Sequence, residues 1–373
     1  MRILQATISN DKGGLTEYII NNYRRINRTK FQFDFITYDE KSDFQDEVEK
    51  LGGSIFCFPR PIYLIQYYYQ LRNSYRTQGY QIIHFHMSYA NITPILLAKL
   101  VGIPRIIVHS HSTGLDEPSE FIRLIKLFIH KIGRHVLPYL ATDYLACSEL
   151  AAQWMFPSKI LKKKKHHIMY NAIDLDKFRY DENLRDIVRH QLNIPDHCYV
   201  IGHVGRFTYQ KNHEFLIEVF RELQKYNDQT MLLLVGDGPD RGKIEHQVKK
   251  YNLQEKVLFL GQRDDVSALY QAMDVMVMPS RFEGLCIVAI EAQMAGLPCV
   301  CSKALSEETK VSSDFTYKSL EDSPEEWAHT ILKKRGIERL DQTESLKNAG
   351  YDATTEIKRL EYVYQNAFSG GEQ

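Results

Sequence analysis

Two carboxylates, Glu283 and Glu291, stand eight positions apart in the segment 281–298. The stretch is apolar without an internal proline, and Gly296-Leu297-Pro298 is a stop signal, so the pattern predicts a helix. Eight residues of helix rise roughly 12 Å, which resembles the span between the ribose and sugar hydroxyls of a nucleotide-sugar. Two acids with a helix start between them suit a diphosphate flanked by two polyols. The alternative is an amphipathic helix with two solvated acids.

Two cations, Arg206 and Lys211, follow Gly205 at the end of an apolar run in the second half. Ligands of open α/β sheets bind at the carboxyl edge of the strands. Arginine can grip a diphosphate as a fork and lysine as a point charge, although a solvated loop would also fit. Gly236-Asp-Gly-Pro239 follows the next strand and is interpreted as a turn shaping the nucleotide side.

The first half carries a glycine-rich turn, Asp11–Glu17, in which Gly13 and Gly14 precede a helix start. Such a turn admits a phosphate or sugar close to backbone N–H groups, or it only needs glycine for its conformation. Two His-x-His pairs, His84/His86 and His109/His111, also stand out. Residues i and i+2 of a strand share a face, so a zinc site is conceivable. No carboxylate completes it, and we expect no metal and a binding-site role for His111.

These residues need a scaffold of alternating strands and helices, and the sequence supplies one. Short β-branched runs separated by helical segments predict parallel sheets with crossovers. The predicted strands are Arg2–Ile8, Phe33–Thr37, Ile82–Phe85, Arg105–Ser110, Tyr144–Cys147, His167–Tyr170, Val200–His203, Met231–Val235, Val257–Leu260, Val275–Met278 and Cys299–Cys301. We predict two Rossmann-like domains, 1–178 and 179–352, with a C-terminal helix at about 353–368.

Composition narrows the functional classes. The 373 residues hold 47 basic and 47 acidic side chains, so no global field favours nucleic acid. The first 170 residues carry 22 basic and 14 acidic residues, and the remainder carry 25 and 33. Six cysteines without paired spacing fit free thiols in a reducing cytosol. No apolar run is long enough to cross a membrane.

Two basic stretches, 123–136 and 158–167, allow two interpretations. They are ordinary solvated segments, or they attach a cytoplasmic protein to the inner, anionic face of a cell membrane. In the first stretch, Ile122, Ile125, Ile129 and Ile132 recur at helical spacing.

Taken together, the motifs resemble retaining GT-B glycosyltransferases of family 4, the glycosyl transferases group 1. The matching motifs are Gly13-Gly14, His111, Cys147-Ser148-Glu149, Asn171-Ala-Ile-Asp174 with Phe178, Gly205-Arg206 with Lys211, Gly236-Asp-Gly-Pro239 and Glu283 through Glu291. The overall pattern is similar to bacterial exopolysaccharide and capsule transferases. Asn171-Ala-Ile-Asp174 departs from the family's common Asn-Gly-Ile-Asp.

The resemblance implies an α/β fold of GT-B architecture, with two Rossmann-like domains facing across a cleft and the last helix packed back on the first. It implies metal-independent transfer of a sugar, with retention, from a UDP-sugar to a hydroxyl of a glycan or polyprenyl-linked saccharide.

The resemblance also implies roles for individual residues. Arg206 and Lys211 would hold the diphosphate, Glu291 the ribose and Glu283 the transferred sugar. Gly14 and the backbone of Gly284 and Leu285 would approach the donor, and His111 would line the acceptor side. The alternatives are a sugar-nucleotide epimerase of the same fold and, less favoured, a metallohydrolase built on the histidine pairs.

Overall fold

The computed structural model describes residues 1–10 and 13–366, and its contacts divide the chain into two units. The first unit contains Met1–Leu115, Ser119–Asn171 and the C-terminal segment from Ala353, and the second contains Asp116–Pro118 and Ala172–Asp352. Asp11 and Lys12 of the glycine-rich turn, and the end of the predicted C-terminal helix at 367–368, lie outside the described residues.

The first unit is built on a seven-stranded parallel sheet of order β3-β2-β1-β4-β5-β6-β7. Its strands are β1 (Arg2–Ile8), β2 (Gln32–Thr37), β3 (Ile55–Cys57), β4 (Ile82–Met87), β5 (Arg105–Ser110), β6 (Asp143–Ala146) and β7 (His166–Ile168). Its helices are α1 (Gly14–Arg25), α2 (Gln45–Lys50), α3 (Leu64–Gln78), α4 (Ile92–Val101), α5 (Glu120–Val136), α6 (Glu149–Met155), α7 (Ser158–Lys162) and, from the end of the chain, α16 (Ala353–Gln365).

The C-terminal helix α16 completes the core of the first unit. Its residues Ile357, Leu360 and Val363 join a buried cluster with side chains of β1, β2 and α1. The Glu356 carboxylate accepts the Tyr170 backbone N–H at 2.9 Å. The apolar face of α16 and the Glu356 side chain therefore hold this late segment of the chain in the first unit.

The second unit is a six-stranded parallel sheet of order β10-β9-β8-β11-β12-β13. Its strands are β8 (Tyr199–Val204), β9 (Thr230–Val235), β10 (Val257–Gly261), β11 (Val275–Met278), β12 (Cys299–Ser302) and β13 (Phe315–Lys318). Its helices are α8 (Leu175–Phe178), α9 (Glu182–Gln191), α10 (His213–Tyr226), α11 (Arg241–Lys250), α12 (Val266–Ala272), α13 (Ile287–Met294), α14 (Pro324–Leu332) and α15 (Thr343–Asn348).

The strand order of this sheet reverses direction at β8. The chain runs outward from β8 through β9 to β10 and then returns to β11 on the other side of β8. The carboxyl ends of strands beside such a switch point form the ligand-binding edge of doubly wound sheets. A ligand site in this unit is therefore expected at the loops after β8, β9 and β11.

The predicted alternation of strands and helices is confirmed, with two omissions. The sequence pattern missed β3, which has only three residues and no buried one, and β13, of which one residue in four is buried. Edge strands such as these lack the continuous apolar run by which buried parallel strands are recognised.

Candidate active site

The loops that follow β8, β9 and β10 interlock through their backbones. The Gly236 N–H donates to the Gly261 carbonyl at 2.8 Å, and the Gly205 N–H donates to the Val235 carbonyl at 2.9 Å. Gly236 has φ +131°, and a Cβ there would lie 2.2 Å from the Gly205 carbonyl oxygen. Only glycine therefore fits at 236, and its absent side chain lets the β9 loop hold Gly205 in place.

Lys211 and Glu283 form the central ion pair of this edge. The Lys211 Nζ donates to Glu283 Oε1 at 2.7 Å, and the Gln210 side-chain amide donates to Glu283 Oε2 at 3.0 Å. Burial opposes the charge on the lysine, but the Glu283 carboxylate together with Cys286 and Asp116 outweighs it, so the pKa of Lys211 is raised above its ordinary value. The site therefore keeps a buried positive charge at neutral pH.

Arg281 and Asn212 brace the loop that carries this pair. Asn212 has φ +58° at the start of α10, and its amide donates to the Pro279 carbonyl at 3.1 Å. The Arg281 guanidinium donates to Asn212 Oδ1 and to the Tyr209 carbonyl, and it lies 4.5 Å from the centre of the Tyr209 ring. The loops after β8 and β11 are thus fastened together beside Lys211.

Glu291 lies inside α13, whereas Glu283 does not, and this corrects the predicted helix. The structure starts α13 at Ile287, so Glu283, Gly284 and Leu285 belong to the preceding loop. The prediction that eight residues of helix separate the two acids is therefore wrong. The loop can turn because no helical hydrogen bonds constrain it, and this freedom allows Glu283 to pair with Lys211.

The Tyr270 hydroxyl holds the Glu291 carboxylate. It donates to Glu291 Oε2 at 2.8 Å, and the tyrosine is fully buried. Burial, with the carboxylate beside it, raises the pKa of Tyr270 well above its ordinary value, so the hydroxyl stays a donor. One Glu291 oxygen is therefore oriented by the protein. Leu285 is buried, and Arg206, which follows β8, is exposed.

In the first unit, Gly14 is the first residue of α1 and Gly13 caps it with φ −71°. Gly13 therefore does not adopt the left-handed backbone conformation that would have required glycine at this position. The Thr16 hydroxyl accepts the Ser9 backbone N–H at 3.2 Å, which fixes the end of β1 against the helix start.

His111 follows β5 and belongs to a layer of four histidines on adjacent strands. His86 Nδ1 lies 3.0 Å from His111 Nε2, and the rings of His109 and His111 have centres 4.0 Å apart. Burial lowers the pKa of His111 to about 3 and that of His84, His86 and His109 well below the usual range. All four imidazoles are neutral at physiological pH. Nitrogens of His84, His86 and His109 lie within 4.8 Å of one another, as in a loose metal-ligand set.

The chain matches two family models that together cover most of its length. The description "Glycosyltransferase Family 4" matches residues 12–177, and "Glycosyl transferases group 1" matches residues 185–347. A Bacillus subtilis (strain 168) protein named "Putative glycosyltransferase EpsF" is 31% identical over 97% of this chain and 96% of its own. The chain belongs to this glycosyltransferase family.

A second curated relative and a solved structure are less similar in sequence. The Escherichia coli UDP-Gal:alpha-D-GlcNAc-diphosphoundecaprenol alpha-1,3-galactosyltransferase is 27% identical over 64% of this chain and 62% of its own. Anabaena Alr3699/HepE, solved in complex with UDP-glucose, superimposes with a TM-score of 0.79 at 18% identity, covering 98% of this chain and 99% of that one. This likeness shows that the fold is GT-B. Among the described residues, no helix has the length and hydropathy needed to span a bilayer.

Several residues of the site carried no sequence signal of their own. Gln210, Asn212 and Arg281 lie in or beside motifs that were recognised, so proximity to Lys211 and Glu283 could have flagged them. Tyr270 lies 21 positions before Glu291 within α12, and nothing in its neighbourhood marks it. Its role depends on the packing of α12 against α13, which periodicity does not report.

Proposed function

We propose that this glycosyltransferase moves a hexose from a UDP-hexose to a hydroxyl of a lipid-linked saccharide, with retention, during exopolysaccharide or capsule assembly. The observation that carries the proposal is the buried Lys211–Glu283 pair at the carboxyl edge of the second sheet. Support for the donor and pathway comes from relatives. The E. coli enzyme is named for UDP-Gal and a diphosphoundecaprenol acceptor, and another, AmsD of Erwinia amylovora, for amylovoran biosynthesis.

The pair suits a sugar diphosphate because it offers both charges at a fixed place. Lys211 gives one hydrogen to Glu283 and has two others for phosphate oxygens. Arg206, which is exposed, would add a bidentate grip on the diphosphate, and Glu283 can accept from sugar hydroxyls. Glu291, oriented by Tyr270, would take the ribose hydroxyls. The backbone of Gly284 and Leu285 would approach the donor from the same unit.

The chemical step follows from this charge distribution. The bond between the anomeric carbon and the diphosphate oxygen breaks, and its electron pair stays on the leaving UDP. The acceptor oxygen bonds to the same face of the sugar, and its proton passes to the leaving phosphate. Lys211 and Arg206 stabilise the charge that develops there, a role that a divalent ion fills in other enzymes, so activity should survive chelation by EDTA.

The test is a transfer assay with a panel of nucleotide-sugars and undecaprenyl-diphosphate saccharides, with product analysis by NMR. We expect a UDP-hexose to be consumed only when acceptor is present and the new bond to keep the donor's anomeric configuration. Epimerisation of the donor without acceptor would favour the isomerase instead. An inverted product would contradict retention, and loss of activity in EDTA would contradict metal independence.

We also propose that α5 docks this protein on an anionic membrane surface, where a lipid-linked acceptor would lie. In an ordinary surface helix the apolar side faces the protein and the polar side faces water, whereas α5 has the opposite arrangement. Its exposed side is apolar, with Phe121 exposed by 72% and Phe128 by 66%. The remaining exposed apolar residues are Ile122, Leu124, Ile125, Ile129 and Ile132. A stripe of this extent facing water is typical of interaction sites.

The polar side of α5 faces the protein instead. The His130 ring stacks on Trp154 with centres 4.0 Å apart and accepts the Ala90 backbone N–H at 3.0 Å. The Arg134 guanidinium donates to the Gln153 and Phe156 carbonyls. Because these contacts fix the rotation of the helix, the apolar stripe cannot turn inward without breaking them.

Charge decides between lipid and a second protein copy. Lys159 lies over the ring of exposed Tyr139, just after α5, at 5.6 Å from its centre. It begins an exposed series that continues with Lys162, Lys163, Lys164 and Lys165. An apolar stripe continued by five lysines complements an anionic lipid surface, and each lysine near it contributes about 1 kcal/mol.

Flotation with vesicles of phosphatidylcholine, with or without phosphatidylglycerol, tests this surface. We expect binding to need the anionic lipid, to weaken in salt, and to be lost in Phe128→Glu. Ile187→Glu, at an exposed apolar residue of α9, is the matched control and should bind like the parent protein. Unchanged flotation of Phe128→Glu would refute lipid docking, and a lipid-independent dimer abolished by Phe128→Glu would assign the stripe to a second copy.

A further inference from the structure

A continuous hydrogen-bonded chain runs through the histidine layer of the first unit and ends at His111. His86 Nε2 lies 2.9 Å from Gln5 Oε1, and the Gln5 Nε2 donates to the Tyr364 hydroxyl at 3.0 Å. The same hydroxyl lies 2.8 Å from His84 Nδ1. Gln5, His84 and Tyr364 are almost completely buried. Because water does not reach these side chains, each donor among them must face an acceptor supplied by the protein.

Strand register and α16 bring this chain together. Gln5 of β1 pairs with His84 of β4, and His86 pairs with His109 of β5. Side chains two residues apart on a strand share a face, so Gln5, His84 and His86 meet on one face of the sheet. Tyr364 reaches the same face from α16. Tyr18 of α1 packs its ring against His111, with centres 5.3 Å apart.

The donors and acceptors in this chain determine where each proton sits. A carbonyl oxygen only accepts, so His86 must carry its proton on Nε2 to reach Gln5 Oε1. A neutral His86 then has a lone pair on Nδ1 and accepts from the Nε2–H of His111. At the other end, Gln5 donates to Tyr364, whose own proton has His84 Nδ1 as its acceptor. His111 is left with a lone pair on Nδ1, an atom that is buried and for which the described residues provide no hydrogen-bond partner.

We propose that Gln5, His86 and Tyr364 are positioning residues that hold His111 in the Nε2–H tautomer, so that its Nδ1 accepts a hydrogen bond from a substrate hydroxyl. The inference rests on the proposed function for the place of His111 on the acceptor side. The direction of the chain is set by the Gln5 amide. Turning that amide by 180° would exchange its donor and acceptor and reverse every proton position as far as His111.

The hydrogen-bond chain and a bound metal ion are competing uses of the same imidazoles. Both nitrogens of His86 and Nδ1 of His84 are engaged in hydrogen bonds. Three-histidine ligation would need His86 to give up one of its partners. Elemental analysis of the purified protein therefore tests the proposal as directly as mutation does.

The decisive measurement is the tautomer of His111, read from ¹⁵N shifts of histidine-labelled protein without substrate. We expect a proton on Nε2 of both His86 and His111 in the parent protein. Gln5→Met keeps the length of the side chain but removes the acceptor, and it should give His111 a mixture of tautomers. Gln5→Glu keeps an oxygen acceptor for His86 and should restore the Nε2–H form.

Kinetics give the second measurement. Gln5→Met should lower kcat roughly 10- to 100-fold, with the donor KM changed less than about twofold, since the tautomer affects proton placement rather than donor binding. Tyr364→Phe should have a smaller effect in the same direction. Tyr144→Phe is the matched control. It removes a buried tyrosine hydrogen bond to the Ala141 carbonyl that is not part of the hydrogen-bonded series ending at His111.

Three results would overturn the proposal. They are a proton on His111 Nδ1 in the parent protein, an unchanged tautomer in Gln5→Met, and a stoichiometric transition metal in the histidine layer. The NMR result does not depend on turnover. If no sugar is transferred to any acceptor, the proposed function fails, whereas the tautomer assignment is still decided separately.

Discussion

The two units of this molecule each bury a polar cluster, and they offset the free-energy cost of burying polar groups in opposite ways. The second unit keeps charges and pairs them, as Lys211 with Glu283. The first keeps imidazoles neutral, because burial lowers the pKa of His84, His86, His109 and His111. A charged cluster suits a ligand with its own formal charge, and a neutral one suits hydroxyls that need only hydrogen bonds.

The two clusters also differ in the type of secondary structure that carries their residues. The charged cluster lies on loops that glycine contacts and side-chain braces hold in place, whereas the neutral layer lies mainly on strands whose register fixes each ring. Loop geometry depends on a few specific contacts, so single changes there should do more damage. Substitutions in the charged cluster should therefore cost more activity and stability than substitutions in the neutral layer.

Lys211→Ala should lower kcat/KM for transfer at least about a hundredfold, since it removes the buried cation that we propose stabilises the leaving phosphate. It should also lower the free energy of unfolding by about 3 kcal/mol, because Glu283 is left buried and unpaired. Enzyme assays and urea unfolding measure the two effects. Lys243→Ala breaks an exposed pair with Glu214 and should change neither by much.

The double variant Lys211→Met/Glu283→Gln separates the two effects of the first change. It removes both charges, so most of the lost stability should return while kcat/KM for transfer stays as low as in Lys211→Ala. Recovery of transfer in this variant would show that the charges of the pair are dispensable and would end the proposed contrast with the neutral layer.

Gly236→Ala should destabilise the second unit by about 2 kcal/mol, because the added methyl group meets the Gly205 carbonyl and the backbone has positive φ. Affinity for UDP should fall with it. In Gly242, on α11, an added Cβ would meet nothing within 4 Å, so Gly242→Ala should be neutral or stabilising. Equal melting temperatures for the two variants would remove the argument that glycine contacts hold the charged site.

The neutral layer should make stability depend on acid. Each of its histidines has a lower pKa folded than unfolded, so unfolded chains take up protons first as pH falls. The stabilisation is complete above about pH 6.5 and is lost as pH drops toward about 3, the pKa of His111. Unfolding free energies between pH 7 and pH 4 should therefore decline steeply.

His109→Gln should reduce that slope by up to about 1.4 kcal/mol per pH unit, because one proton fewer is taken up on unfolding. The matched control is His135→Gln, at an exposed position of α5. The same slope in His109→Gln and parent protein would mean that His109 already binds protons in the folded state.

Tyr270→Phe should cost about 1 kcal/mol of UDP affinity, since Glu291 loses the hydroxyl that orients one of its oxygens. Glu291→Gln should weaken UDP more, about tenfold or beyond, if the carboxylate takes the ribose hydroxyls. Isothermal titration with UDP measures both. A Tyr270→Phe loss larger than that of Glu291→Gln would show that the tyrosine itself contacts the nucleotide.

Sequence reasoning predicted the two parallel-sheet units and brought Lys211 and Glu283 to one site, because apolar runs and glycine turns are local signals. It placed the start of α13 too early, since Cys286 and its neighbours continue an apolar pattern that looks helical. It identified the apolar spacing of α5 but not that the stripe faces outward, because periodicity shows that a face exists and not which neighbour covers it. It could not connect Gln5 with Tyr364, which are 359 positions apart.

That connection has a consequence for how the protein is made. The face of the first sheet that holds Gln5 and His86 is closed by α16, which follows the whole second unit in the chain. During translation, β1 to β7 emerge early yet wait for the whole second unit before their final helix arrives. Synthesis of α16 therefore governs when the first unit becomes complete. A ribosome stalled just after Asp352 would hold a molecule whose second unit has all its strands while the first still exposes its histidines.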